Sequence, residues 1–330
     1  MSRLLRSSLA AFLCGLALAA HAAGEPDAVS VSGLRNTVDK SYRKMAEGAA
    51  LFEREHSLAP QASLRYRLLP RKRDTRMEGI ALAIVGDSFE MPLELAPDLT
   101  FTLPSVRKAL DEKASVRPNR RAQSMTWRAD VRTPGLPANA RRLGDLRLEC
   151  RVGMQAGLVS DYRSGGLMDF LAGGPAFCDE RNAPYLFFAD EPVFGVTLAS
   201  GERRQALSVA RLYGGVGRGG TPKEELAECD CAVLMERAYT VPLGDTSWPD
   251  DTLVLLQTMR AALRENTLAG YRRRDVEELF GRATVTKFDG GYEVWSYEYG
   301  PRGRRFEQTE LVLLLEASGA VAATRLRPAP

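Results

Sequence analysis

Leu268-Ala269-Gly270-Tyr271-Arg272-Arg273-Arg274-Asp275-Val276-Glu277-Glu278-Leu279-Phe280-Gly281 is followed by Gly291-Tyr292-Glu293-Val294-Trp295-Ser296-Tyr297-Glu298-Tyr299, then by Glu310-Leu311-Val312-Leu313-Leu314-Leu315-Glu316-Ala317-Ser318-Gly319-Ala320-Val321. The three pieces carry different periods. In the first, Val276, Leu279 and Phe280 fall on one face of a short helix, and Gly281 suits the left-handed position that closes one. In the second, Trp295, Tyr297 and Tyr299 share one strand face, with Val294 opposite. In the third, Leu311, Leu313 and Leu315 share a face, and Ser318-Gly319 turns the chain into a further strand. Just upstream, Ser247-Trp248-Pro249-Asp250-Asp251 has helix-start chemistry, which predicts a helix over Thr252 to Leu263. Residues 250–330 thus predict a small α+β domain of two helices on a three-stranded antiparallel sheet.

Working towards the N-terminus, short strands take over. Leu64 to Leu68 alternates apolar and basic residues, the pattern of a half-buried strand. Ile80 to Val85 is wholly apolar, and Phe89 to Leu95 returns after Gly86-Asp87, with Pro92 marking an edge or bulge. Thr100 to Leu103 and Met125 to Val131 read as strands. So does the segment in which Leu146, Leu148, Cys150 and Val152 alternate with Arg147, Glu149 and Arg151. Tyr185 to Ala189, Val193 to Leu198 and Gln205 to Leu212 follow, the last two joined at Ser200-Gly201. Leu167 to Leu171 suits one helical turn, and Gly214 to Gly220 a loop. Apolar positions at Leu34, Val38, Tyr42, Met45 and Ala49 predict a helix over 34–56. The class is therefore α+β: an N-terminal helical segment over 23–59, a mostly antiparallel sandwich-like domain over 60–244, and the small C-terminal domain.

The start of the chain has the order of an export signal, over residues 1–22. Arg3 and Arg6 precede an apolar run from Leu9 to Leu18, and Ala20-His21-Ala22 is a small-x-small cleavage site. Cleavage near Ala22 would leave a periplasmic protein in a Gram-negative cell. Leu13 stands where acylation of Cys14 would require a small residue. The formal charge of +3 includes the two signal arginines, so the remainder carries 3 − 2 = +1. That balance gives no drive towards nucleic acid, and no run is long enough to span a membrane.

Of two histidines, His21 lies in the signal and only His56 remains, too few for a His-rich metal site. Cys150, Cys178, Cys229 and Cys231 allow three pairings. Cys150 with Cys178 is the favoured disulfide, closing an insertion; crossed pairing with Cys229 or Cys231 competes. Ile84-Val85-Gly86-Asp87-Ser88 looks like a hydrolase nucleophile block, but no His follows Ser88 to deprotonate it, so a hairpin turn is expected. Gly215-Val216-Gly217-Arg218-Gly219-Gly220 fits a dinucleotide loop only superficially, because Pro222 interrupts any following helix. No metal or cofactor is expected.

Two basic clusters flank the Trp127 strand: Arg117-Pro118-Asn119-Arg120-Arg121, and Arg141-Arg142 with Asp145. Arg120, Arg121, Arg141 and Arg142 could fork onto an anionic glycan, lipid headgroup or carboxylate, or form ion pairs on a solvated face. Asp130, Asp145 and Glu149 are the carboxylates that a polymer-cleaving enzyme would use, given two of them ~5–9 Å apart in a cleft.

The C-terminal order of Gly270-x4-Asp275-Val276-x4-Gly281 with Trp295-x-Tyr297 resembles the BamE (SmpA/OmlA) family of outer-membrane lipoprotein domains, over about residues 252–327. The resemblance implies an α-α-β-β-β order and a role in holding protein partners during envelope assembly. Trp295, Tyr297, Tyr299, Arg304 and Arg305 are then the candidate contact residues. The expected function is non-enzymatic protein–protein binding in the cell envelope. The alternatives are a carboxylate-based hydrolase of an envelope polymer and a binder of an anionic glycan or lipid.

Overall fold

The structure is a computed structural model that describes residues 39–71, 75–122, 124–158, 174–181, 183, 185–191, 193–207, 237–258, 268–280, 282–283, 285–298 and 309–328. The chain is α+β, and every strand pair among these residues is antiparallel. The expected signal, the Leu167–Leu171 turn, the glycine loop, Cys229 and Cys231 lie outside the described residues.

The first unit begins with β1 (Lys40–Ser41) and α1 (Tyr42–Arg54). Ser41 caps the helix, its Oγ accepting from the Lys44 N–H at 3.4 Å. There follow β2 (Ser63–Pro70), β3 (Leu82–Val85), β4 (Glu90–Leu93), β5 (Thr100–Phe101), α2 (Arg107–Asp111), β6 (Ser115–Pro118) and β7 (Met125–Arg132). They form two sheets, ordered β5-β2-β7 and β1-β6-β3-β4. Both sheets and α1 share one core, with Tyr42, Met45, Tyr66, Ile84, Val116 and Trp127 at its centre. Pro92 sits on the edge strand β4, where its missing N–H leaves no gap in the ladder.

The second unit contains β8 (Ala140–Arg142), α3 (Leu143–Gln155), a 3-10 turn at Gly174–Asp179, β9 (Phe187–Phe188), β10 (Val193–Ser200), β11 (Arg203–Ala206), β12 (Ala238–Tyr239) and β13 (Leu253–Thr258). Its main sheet runs β11-β10-β13-β8, with β12-β9 as a separate ribbon. The β10–β11 hairpin turns at Gly201, whose φ of +56° favours glycine.

Two expected elements change type. The alternating segment 146–152 is the centre of helix α3, not a strand. Leu148, Val152 and Ala156 face the first core, whereas Leu143, Leu146, Cys150 and Met154 face the second. With two apolar stripes half a turn apart, every second residue from Leu146 to Val152 is apolar, and the helix imitates a strand. Arg147, Arg151 and Gln155 form its one partly exposed stripe. The helix expected from Thr252 instead opens as strand β13, paired with β10 and β8. Asp250, read as a helix start, has another use: its carboxylate takes Arg147 at 2.5 Å and its carbonyl accepts the Gly144 N–H at 2.9 Å. Residues up to Thr258 therefore belong with the second unit, not with the C-terminal domain placed at 250–330.

The favoured disulfide is present: Cys150 on α3 joins Cys178, with Cα atoms 6.0 Å apart. Helices α1 and α3 approach so closely that a Cβ on Gly48 would lie 2.8 Å from Ala156 Cβ.

The third unit is α4 (Arg273–Phe280), β14 (Val285–Asp289), β15 (Tyr292–Glu298), β16 (Thr309–Leu315) and β17 (Val321–Pro328), with the sheet in chain order. The polar residues Thr286, Lys287 and Asp289 disguise β14 in the sequence, so the sheet has a fourth strand. Leu268, Val276, Trp295, Leu311, Leu313, Leu315 and Val321 form its own core. It touches the second unit where Gln257 Nε2 donates to the Tyr271 hydroxyl at 3.2 Å and where Ala206 packs on that core. Among the described residues no helix is long and apolar enough to cross a membrane.

Candidate functional site

The densest polar cluster lies where the first unit meets the second. Antiparallel pairing of β2 with β7 brings Arg67 near Asp130 and Arg132. The chain then turns through β8, delivering Arg141, and α3 presents Asp145 and Glu149 one turn apart on the same stripe. Asp190 arrives from the residues after β9, and Tyr239 from β12.

Asp130 sits at the centre. Its Oδ2 accepts from Arg67 Nε at 3.1 Å and Nη2 at 2.9 Å. Its Oδ1 accepts from Arg132 Nε at 2.7 Å and lies 3.9 Å from Arg141 Nη1. Burial raises the Asp130 carboxyl, but Arg132, Arg141 and Arg67 together outweigh it and hold the group at about 2. Glu149 Oε2 accepts from Arg141 Nη2 at 2.6 Å and from the Val131 N–H at 2.9 Å. Here burial pushes the carboxyl up and Arg141 offsets it only in part. Asp145 accepts from both the N–H and the hydroxyl of Thr133 at 2.8 Å. Asp190, at the surface, lies 2.8 Å from Arg67 Nη1 as an ion pair and accepts from both Arg132 terminal nitrogens, at 3.2 and 3.1 Å. Beside this network is a small depression of about 40 Å³, lined in part by Arg132, Ala138, Asn139, Arg141 and Asp190.

The carboxylates proposed for hydrolysis are thus brought together, but each is already committed. Asp130 and Glu149 hold guanidinium groups, and Asp145 holds a threonine. None stands free in a cleft to transfer a proton. Ser88 lies in the β3–β4 hairpin, where Gly86 N–H donates to Phe89 O; the Ser88 hydroxyl donates to Glu112 Oε1 at 2.6 Å. His56 Nε2 lies 2.9 Å from the Ala62 carbonyl.

The four candidate anion-binding arginines are not one patch. Arg141 is buried in the network and does not face solvent as expected, because Glu149 and the Val131 carbonyl need its charge inside. Arg120 spends its guanidinium on the carbonyls of Arg76, Glu78 and Asn119, bracing the loop before β3. Arg121 is exposed and Arg142 half-buried. In the third unit, Trp295 is a core residue rather than a contact surface, 6% exposed, and its Nε1 donates to Glu293 Oε1 at 2.7 Å. Arg273 pairs with the other oxygen of Glu293. The Tyr297 backbone pairs opposite Leu311; the Tyr297 side chain, Tyr299, Arg304 and Arg305 lie outside the described residues.

Arg67, Arg132, Asp190 and Tyr239 went unread in the sequence. The alternation of Arg65 and Arg67 on β2, and of Asp130 and Arg132 on β7, was the available signal. Nothing in local spacing links positions 67, 132, 141 and 190. No family model, curated protein or solved structure matches the chain.

Proposed function

We propose that this is an exported, non-enzymatic envelope protein that binds a protein partner through its C-terminal unit, in the manner of the BamE-like domains that unit resembles. The observation that carries the reading is the separate core of α4 and β14–β17, built from its own residues and distinct from the two cores of the body. An appended unit with its own core is what a binding module requires. Two further features support it. The Cys150–Cys178 disulfide suits an oxidising compartment such as the periplasm. Asp130, Asp145 and Glu149, the carboxylates considered for hydrolysis, are engaged within the body.

Tyr292, 39% exposed beside the Gly290-Gly291 hairpin, is the place to look for the partner. A photo-crosslinking residue there, in intact cells, is expected to trap a discrete protein adduct. The mature N-terminus should be found near Ala23 by intact-mass analysis. A Tyr292 position that traps nothing, in a protein whose function survives removal of residues 268–328, would overturn the module reading.

A further inference from the structure

We propose that the depression beside the buried ion network is a carboxylate-binding site, formed by Arg132 and Arg141 with Asn139, and that Asp190 closes its mouth in cis. Three observations converge on it.

The first is a deficit of acceptors. Arg141 is 3% exposed and lines the depression, yet its Nε has no hydrogen-bond partner. The Tyr239 hydroxyl, in the same network, is also buried without one. Buried polar groups in folded proteins are nearly always satisfied. An unpaired guanidinium N–H asks for an acceptor, and an ionised carboxylate is acceptor-only and matches the guanidinium fork.

The second is the posture of Asp190. Arg67 and Arg132 come from neighbouring strands and converge on this one loop carboxylate, which Arg132 grips through both terminal nitrogens. The Asp190 side chain is 40% exposed, whereas those of Arg67 and Arg132 are 16% and 29% exposed. Asp130, at 8%, is locked beneath. A loop carboxylate over two partly buried guanidinium groups has the geometry of a docked ligand carboxylate. It is also the one acid of the network that can leave without stranding a charge in the core.

The third is size. About 40 Å³ is room for a carboxylate-sized group inside the depression, with the rest of the ligand outside it. The ligand therefore presents its carboxylate on a thin stem, as a small free acid does, or as an acidic side chain of an extended peptide does.

The test uses the full chain and needs no partner. Sodium acetate, with acetamide as the uncharged control at matched ionic strength, is titrated by amide NMR. Acetate but not acetamide is expected to shift residues 132, 138–141 and 189–191. Asp190→Asn should bind acetate at least tenfold more tightly. Adding Ala138→Glu, which plants a tethered acid at the exposed wall, should abolish that binding without touching the buried network. A blocked Gly-Glu-Gly peptide with an amidated end separates the two sources: tighter binding than acetate assigns the site to acidic side chains, weaker binding to small free acids. A folded Asp190→Asn protein that does not bind acetate, or binding indifferent to Ala138→Glu, would overturn the site and leave a buried water as the partner of Arg141.

Discussion

Asp130 shows how one residue can set the acid limit of the molecule. Its folded value of about 2 lies below the ordinary value near 3.8. A group depressed in the fold contributes its stability above the unfolded value and loses it as pH falls through the folded one. The contribution is thus whole above about pH 4 and fades towards pH 2, on the order of 2 kcal/mol. Urea titrations at stepped pH should show a falling limb in that window, and Asp130→Asn should flatten it. The Arg141–Glu149 pair makes a different prediction. Arg141→Met leaves Glu149 buried without its cation and should cost about 3–5 kcal/mol. Replacing both, Arg141→Met with Glu149→Leu, should recover most of the loss; a double variant as unstable as the single would show that the pair itself, rather than the stranded charge, carries the energy. The residues were visible in the sequence, but their pairing was not. Arg141-Arg142 reads as a surface cluster because nothing nearby announces that Glu149, two helical turns on, lies in the same interior.

At the scale of elements, legibility followed the number of buried faces. Strand β7, and strand β10 with its turn at Gly201, could be read because their apolar runs and turn residues agree; β11 runs over Arg203–Ala206, ahead of the expected Gln205 to Leu212, and its polar residues carry no such run. Helix α3 could not, because two cores claim opposite sides of it and erase the helical period. Strand β13 was obscured by Pro249 and Asp250, whose helix-start look comes from a loop that serves α3. The disulfide, buried in the second core, anchors α3: removing it with Cys178→Ser should cost about 3 kcal/mol, read as a lowered Tm, from the freed loop entropy of the unfolded chain. In the third unit, Trp295→Ala should unfold the sheet, since loss of a buried aromatic costs roughly 3–5 kcal/mol. Near-ultraviolet circular dichroism and proteolysis would report it; a folded Trp295→Ala unit that merely loses its partner would return Trp295 to the surface.

Across the whole molecule, three cores fall into two groups. The first two share α3 and should melt together, whereas among the described residues the third meets the second at the Gln257–Tyr271 bond, at Ala206 and where α4 lies beside β10. Ending the chain after Thr258 should leave the main calorimetric transition in place. Ending it at residue 250 removes β13 from the centre of its sheet and should abolish that transition. Comparable behaviour of the two truncations would erase the boundary between body and appended unit. The shared helix also limits how the gene can vary. Substitutions along α3 are judged by one core at a time, but a one-residue insertion after Leu148 turns everything beyond it by about 100°. Cys150 would swing away from Cys178, and Arg151 would be carried off its partly exposed stripe towards an interior. Length changes should therefore be tolerated in the turn at Gly201 and rejected throughout 143–155, a contrast that a deletion-and-insertion scan scored by soluble yield would reveal.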